Sequence, residues 1–211
     1  MNTVAIIDDD AGVLSAMRMV LEGAGYKVEA FEAADDFMGA PMQPGCIVSD
    51  VLMPRMSGLE LLKALKQRGD PRPLILITAH GDIDMAVQAM REGAFDFIEK
   101  PFDENRLTEV VRRGLDAAAA AMAEHDARAE LRKRYDELSA RQKEVMKLVL
   151  HGCSNKEIAN RLGISVRTVE SYRAWVMERM HAGSIIELVR IGVSLGIDQS
   201  EAAPGEAVEG R

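Results

Sequence analysis

IVSDVLMPRMSG, residues Ile47–Gly58, is the stretch that decides the fold. An apolar run of strand type stops at Asp50, and the turn-forming residues Pro54, Ser57 and Gly58 follow. A carboxylate therefore stands at the tip of what should be a buried strand, where the chain leaves the core. The run itself is Cys46–Ser49, and similar short apolar runs lie on either side of it, at Val4–Ile7, Val28–Phe31, Leu74–Ile77 and Phe95–Ile98. Between them are longer patterns with helical spacing, such as Val13, Met17, Val20, Leu21 and Leu59, Leu62, Leu65. Gly25, Gly69 and Gly93 sit where those helices should stop. Five strands alternating with helices predict right-handed βαβ units and a parallel sheet covered on both faces, filling residues 1–120.

In an open parallel sheet, chemistry sits outside the carboxyl ends of the strands. The first strand ends in Asp8, Asp9 and Asp10, the third in Asp50 and the fourth in Thr78, and the fifth is followed by Lys100 and Pro101. Each residue alone reads as a solvated loop group or a helix cap. Together they put carboxylates, a hydroxyl and an ammonium on one edge. Clustered carboxylates repel one another, so they raise a pKa or recruit a cation. With no His or Cys converging there, the cation expected is Mg²⁺, which takes oxygen ligands and keeps several waters. This is an arrangement for phosphoryl transfer: Asp50 is the expected nucleophile, and Asp8 and Asp9 hold the metal with the backbone carbonyl of Leu52. Lys100 would pair with the acceptor and the phosphoryl group, and Thr78 would hydrogen-bond one phosphoryl oxygen.

IIDDD, SDVLMPRMSG, LITAHGD and FDFIEKPF, in this order and spacing, resemble the landmarks of a bacterial response-regulator receiver domain. The resemblance implies a flavodoxin-like sheet of order 2-1-3-4-5, a phosphohistidine donor on a sensor histidine kinase, Mg²⁺ as cofactor and a cis Lys100–Pro101 peptide. It also implies a switch. Thr78 is drawn to the phosphoryl group, Phe97 rotates inward, and helix four with strand five reshapes into a surface for homodimerisation. A plain core role for Phe97 is the alternative. His80 either influences the lifetime of the acyl phosphate or faces solvent. Haloacid-dehalogenase phosphatases also use an aspartyl phosphate, but they need a second Asp two residues after the nucleophile. Leu52 stands there and cannot protonate a leaving group. A self-modifying switch is expected, not an enzyme acting on external phosphoesters.

The charge is uneven. Residues 1–116 hold 12 Lys+Arg against 20 Asp+Glu, whereas residues 138–199 hold 9 against 6, which suggests a different partner for each half. MNTVAII has neither the basic region of a signal peptide nor the length of a membrane span, so a cytoplasmic protein with no membrane partner is expected. Cys46 and Cys153 lie far apart, fit no metal spacing and read as reduced thiols. Residues 121–137, rich in helix formers, predict a helical linker, with self-pairing left open, and 198–211 predict a disordered tail.

Residues 138–197 read as all-helical. Ser139 with Gln142, and Ser154 with Glu157, have capping-box spacing, and Ser165 is a further N-cap. Helices are expected over Asn155–Leu162, Val166–Met180 and Ser184–Leu195, with Gly163 and Gly183 as stops. Ile158, Ala159 and Leu162 should meet Val169, Val176 and Met180, which gives either a helix-turn-helix or a helical hairpin that only dimerises. The segment LSARQKEVMKLVLHGCSNKEIANRLGISVRTVESYRAWVMERM resembles the four-helix LuxR-type DNA-binding domain, and the whole chain resembles the FixJ/NarL group of transcriptional regulators.

By that resemblance Val166–Met180 enters the major groove of double-stranded DNA, and the family favours activation, with RNA polymerase as a further partner. The implied contacts are Arg167, Thr168, Glu170, Ser171, Arg173 and Ala174, with Asn155 and Lys156 on phosphate. Leu188, Val189 and Ile191 are the implied dimer residues. Trp175 reads as core rather than as a stacking platform. A regulator that works by protein contact through its helical half is the competing reading.

Overall fold

The computed structural model describes residues 3–41, 45–79 and 83–197. His80 and the 198–211 tail therefore lie outside the described residues. The chain divides into two compact units, 1–123 and 124–211.

The first unit contains β1 (Thr3–Ile7), α1 (Ala11–Gly23), β2 (Lys27–Phe31), α2 (Ala34–Gly39), β3 (Cys46–Asp50), α3 (Gly58–Gln67), β4 (Leu74–Thr78), α4 (Ile83–Glu92), β5 (Asp96–Glu99) and the first part of α5 (Glu104–Asp136), whose last residues belong to the second. The five strands are parallel in the order β2-β1-β3-β4-β5, as the resemblance implies. The near-continuous apolar character of the central strands follows from burial on both sides. Because side chains alternate along a strand, Val4, Ile6, Val48, Ile75, Ile77 and Ile98 pack on one face against Leu14, Met17 and Leu21 of α1 and Leu107, Val110 and Val111 of α5. Ala5, Ile7, Ile47, Leu74 and Leu76 pack on the other against Phe37 of α2, Leu61, Leu62 and Leu65 of α3, and Ala89 of α4. Two cores on one sheet hold the strand ends at fixed heights. Gly25, Gly69 and Gly93 take left-handed φ values of 87°, 66° and 89° where their helices stop.

The second unit contains α6 (Ala140–Leu150), α7 (Asn155–Leu162), α8 (Val166–Arg179) and α9 (Ile185–Ser194) around one core that includes Val145, Met146, Ile158, Val169, Val176 and Leu188. Both expected capping boxes are present: the Ser139 and Ser154 hydroxyls accept from the N–H of Gln142 and Glu157, whose side chains accept from the cap N–H. The expected linker 121–137 is not a free connector throughout. Leu131 and Tyr135 near the end of α5 pack against this unit's core, and the cations of Arg132 and Lys143 lie 5.8 and 5.1 Å from the Tyr135 ring centroid. The stop after α8 also differs from the expected one. His181, not Gly183, takes the left-handed position, with φ 52°. His tolerates that region better than most residues with a Cβ.

Among the described residues no helix is long and apolar enough to cross a membrane.

Candidate functional site

Asp50 is the last residue of β3, and β1 and β4 flank it through the pairs Val48–Ile6 and Asp50–Ile77. Leaving the strand, the Val51 N–H donates to the Ile77 carbonyl (2.8 Å) and the Leu52 N–H donates to Asp50 Oδ2 (2.6 Å). The backbone thus turns back on the carboxylate and grips one of its oxygens. Gly58 makes the return possible. Its N–H donates to the Val51 carbonyl (3.0 Å), and a Cβ there would lie 2.4 Å from the Asp50 carbonyl oxygen and 2.8 Å from Leu76 Cδ2. In the sequence Gly58 reads only as a turn residue; the close approach is a property of the packed corner.

The other oxygen of Asp50 meets Lys100. Its Nζ donates to Asp50 Oδ1 at 2.6 Å and to Asp8 Oδ2 at 2.7 Å, so one ammonium bridges two carboxylates from different strands. Asp8 Oδ1 accepts from the Asp10 N–H at 2.9 Å. Lys100 is placed by its own N–H, which donates to the Thr78 carbonyl (2.7 Å), and its peptide bond to Pro101 is cis. Thr78 is fully buried at the end of β4. Asp8, Asp50, Thr78 and Lys100, far apart in sequence, therefore come together at one edge.

The other expected residues differ. Asp9 is exposed at the end of β1. Asp10 accepts from the N–H groups of Gly12 and Val13 and so caps α1. Phe97 is half-buried and packs on the α3–α4 side of the sheet beside Leu76.

The electrostatics follow from two anions sharing one cation. Burial pushes the Asp50 carboxyl above its ordinary range, the hydrogen bond and charge of Lys100 pull it back only in part, and the Asp8 charge adds to the rise. For Lys100 burial alone would lower the pKa. The hydrogen bonds and charges of Asp50 and Asp8 outweigh it, and the ammonium is held above its usual value. A nucleophilic carboxylate with few waters and a fixed cation at its side is equipped to attack an electrophile carrying negative oxygens. Asp8 and Asp50 are hard oxygen donors with surplus negative charge. Among the described residues no group of three or more His, Cys, Asp or Glu forms a ready cage for a metal. Two converging carboxylates fit an ion that binds one or two protein oxygens and retains water, as Mg²⁺ does.

In the second unit, α7 and α8 join at Gly163 (φ 63°), and the Ile164 N–H donates to the Ala159 carbonyl (3.1 Å). Ser165 caps α8 and accepts from the Thr168 N–H at 3.0 Å. With Val169 and Val176 turned into the core, Arg167, Glu170, Ser171 and Ala174 are exposed on α8, as is Lys156 at the start of α7. Asn155, Thr168 and Arg173 are half-buried. The Thr168 hydroxyl is tied to Ser165 Oγ at 2.7 Å.

Two further corrections come from burial. Leu188 and Ile191 belong to the unit's own core and offer no surface to a twin; the open apolar positions of α9 are Ile185, Ile186 and Val193, with Val189 half-buried. Ile185 through Val193 is apolar on most sides, and spacing alone does not say which side is covered. Trp175 is 50 % exposed, not core, with Tyr172 set edge-to-face against it at 5.5 Å.

Residues 4–112 match the family described as response regulator receiver domain, and residues 136–191 match bacterial regulatory proteins of the luxR family. The transcriptional regulatory protein FixJ of Azorhizobium caulinodans is 45 % identical over 95 % of this chain and 96 % of its own length. The response regulator protein TodT of Pseudomonas putida strain F1 is 40 % identical over 90 % of this chain and 85 % of its own. Among solved structures, the response regulator StyR superposes with a TM-score of 0.77 at 38 % identity, covering 90 % of this chain and 96 % of that one. With both profiles matched in one chain and relatives of this identity along nearly its whole length, the chain belongs to the FixJ-type response regulators, which join a receiver domain to a LuxR-type DNA-binding domain.

Proposed function

We propose that Asp50 accepts a phosphoryl group from a phosphohistidine of a sensor histidine kinase and that the acyl phosphate switches the protein into a dimer that binds a two-fold DNA operator. The observation that carries this reading is the single Lys100 ammonium bridging Asp8 and Asp50 at the strand ends. In the transfer, Asp50 Oδ forms a bond to phosphorus as the phosphorus–nitrogen bond to histidine breaks, and the departing imidazole takes a proton from solvent. Lys100 moves from pairing two carboxylates to offsetting charge on the phosphoryl oxygens, and the Thr78 hydroxyl donates to one of them. Asp8 and Asp50, with Asp9 and the Leu52 carbonyl, are the residues that would hold Mg²⁺. When bound, it neutralises charge on the transferring oxygens.

Phosphorylation acts by favouring one of two receiver conformations. The dimer surface in this reading runs along α4, where Ile83, Val87 and Met90 form an exposed apolar row at helical spacing. Gel shifts against DNA selected from a random pool test the scheme. Small-phosphodonor treatment should raise affinity and produce a dimeric complex, and Asp50→Asn should lose both effects; equal binding with and without phosphorylation contradicts it.

The competing reading, a helical half that works only by protein contact, is less favoured because the polar residues Arg167, Glu170 and Ser171 are exposed on α8. Lys156→Ala and Arg167→Ala separate the two. Loss of about one phosphate contact should weaken DNA binding and reduce the salt dependence by roughly one unit of slope, whereas a protein-contact module would leave DNA binding unaffected.

A further inference from the structure

One groove in the second unit has no part in phosphoryl transfer and is lined by none of the residues implied to contact DNA. It is about 760 Å³ and lies among the end of α5, the start of α6 and the last turns of α8, with Glu130, Glu137, Trp175, Glu178, Arg179 and His181 in its lining. Three observations single it out. Trp175, the chain's one tryptophan, is half-exposed on its wall, and Tyr172 holds the indole edge-to-face. Glu178, one helical turn further along α8, is exposed and makes no ion pair among the described residues. The remaining carboxylates are paired, Glu130 with Arg134 (3.1 Å) and Glu137 with Arg179 (3.5 Å), which leaves the lining with surplus negative charge. The lining holds three carboxylates, Glu130, Glu137 and Glu178, against the two guanidinium groups of Arg134 and Arg179, so a groove with surplus negative charge and an open indole is matched to a cation rather than to nucleic acid.

An aromatic face with a free carboxylate one turn away suits a guanidinium. The cation stacks on the indole, its planar fork pairs with the carboxylate, and a lysine ammonium meets the second requirement less well. We propose that this groove receives an arginine side chain from a partner protein, stacked on Trp175 and paired with Glu178. The site lies on the opposite side of Trp175 from the start of α8, so the exposed Arg167 end of the helix stays available while the groove is filled. It is an interaction surface independent of Asp50.

Because Trp175 is the sole tryptophan, the full-length protein carries its own reporter. Indole fluorescence should be titrated with a capped apolar peptide containing arginine, and with the same peptide carrying lysine or glutamate in its place. The arginine peptide should give a saturable change about ten-fold tighter than the lysine peptide, and the glutamate peptide none. Glu178→Gln, an exposed substitution, should weaken arginine-peptide binding roughly ten-fold while leaving the circular dichroism unchanged, and Glu144→Gln on α6 should leave binding intact. The proposal is overturned if no peptide gives a saturable change, if the glutamate peptide binds as well, or if Glu178→Gln has no effect. It is equally overturned if dilution alone reproduces the change, since the occupant is then a second copy, or if DNA abolishes peptide binding, since the groove then belongs to the nucleic-acid surface.

Discussion

At Asp50, burial and pairing act against each other, and burial wins. An acid whose pKa is raised by folding destabilises the folded state wherever the unfolded chain would ionise it. The penalty is absent below the ordinary aspartate pKa, grows as pH rises from there through the folded value, and is full above it. Asp50→Asn removes the charge but keeps the shape, and it leaves Lys100 to Asp8 alone. The variant is therefore expected to be more stable than the parent by about 1 kcal/mol at a pH of about 7.5, with the gain shrinking to nothing near a pH of about 3.5. Urea unfolding at the two pH values measures it; a variant less stable at the higher pH would mean that Lys100 fully compensates the acceptor. Gly58 belongs to the same corner. Its Cβ would press on the Asp50 carbonyl oxygen, which is backbone and cannot rotate away. Gly58→Ala is expected to cost about 1–3 kcal/mol and to slow phosphorylation by a small donor, because relief of the clash displaces the acceptor. Unchanged stability and rate would show that the β3–α3 corner has slack.

Among the elements, α7 depends most on its cap. It has eight residues, too few to persist alone, and its first turn is closed by the Ser154–Glu157 box. Hydrogen bonds from Ser154 hold the Glu157 carboxyl below its usual pKa, so this contribution is present at neutral pH and fades as pH falls through the carboxylate range. Ser154→Ala should cost about 1 kcal/mol of the second unit's stability and weaken DNA binding with it, as read by thermal melting and gel shift. The helical half is legible in the sequence to the extent that such boxes, glycine stops and periodic apolar positions are local. The sheet is legible because strands buried on both faces leave continuous apolar runs, and the site because Asp8, Asp50, Thr78 and Lys100 all lie at run ends.

What stays illegible depends on which face gets covered. α9 has one polar side, of Glu187, Arg190 and Ser194, and a wide apolar arc over the rest, so sequence alone does not tell Leu188 and Ile191 from Ile186 and Val193. Trp175 is a large apolar side chain of the kind a core takes up, yet it lines an open groove, and His181 takes a stop that Gly183, two residues on, would fill without strain. Glu178 and Gly58 matter only through neighbours brought in by packing.

For the molecule as a whole, the two units have separate cores and unequal charge: 1–123 holds 12 Lys+Arg against 20 Asp+Glu, whereas 124–211 holds 14 of each. Chemistry at the sheet edge can reach the DNA-binding unit only by changing which surface the receiver presents, since a ligand shifts an equilibrium only through its differential affinity for the two states. Everything downstream therefore rests on whether Asp50 is the acceptor. The direct measurement is intact-mass spectrometry of the full-length protein after incubation with acetyl phosphate and magnesium, followed by peptide mapping of the adduct. One phosphoryl group at Asp50, lost in Asp50→Asn and abolished by chelating the metal, is the expected result. No adduct on the parent chain, or an adduct that persists in Asp50→Asn, would contradict the account.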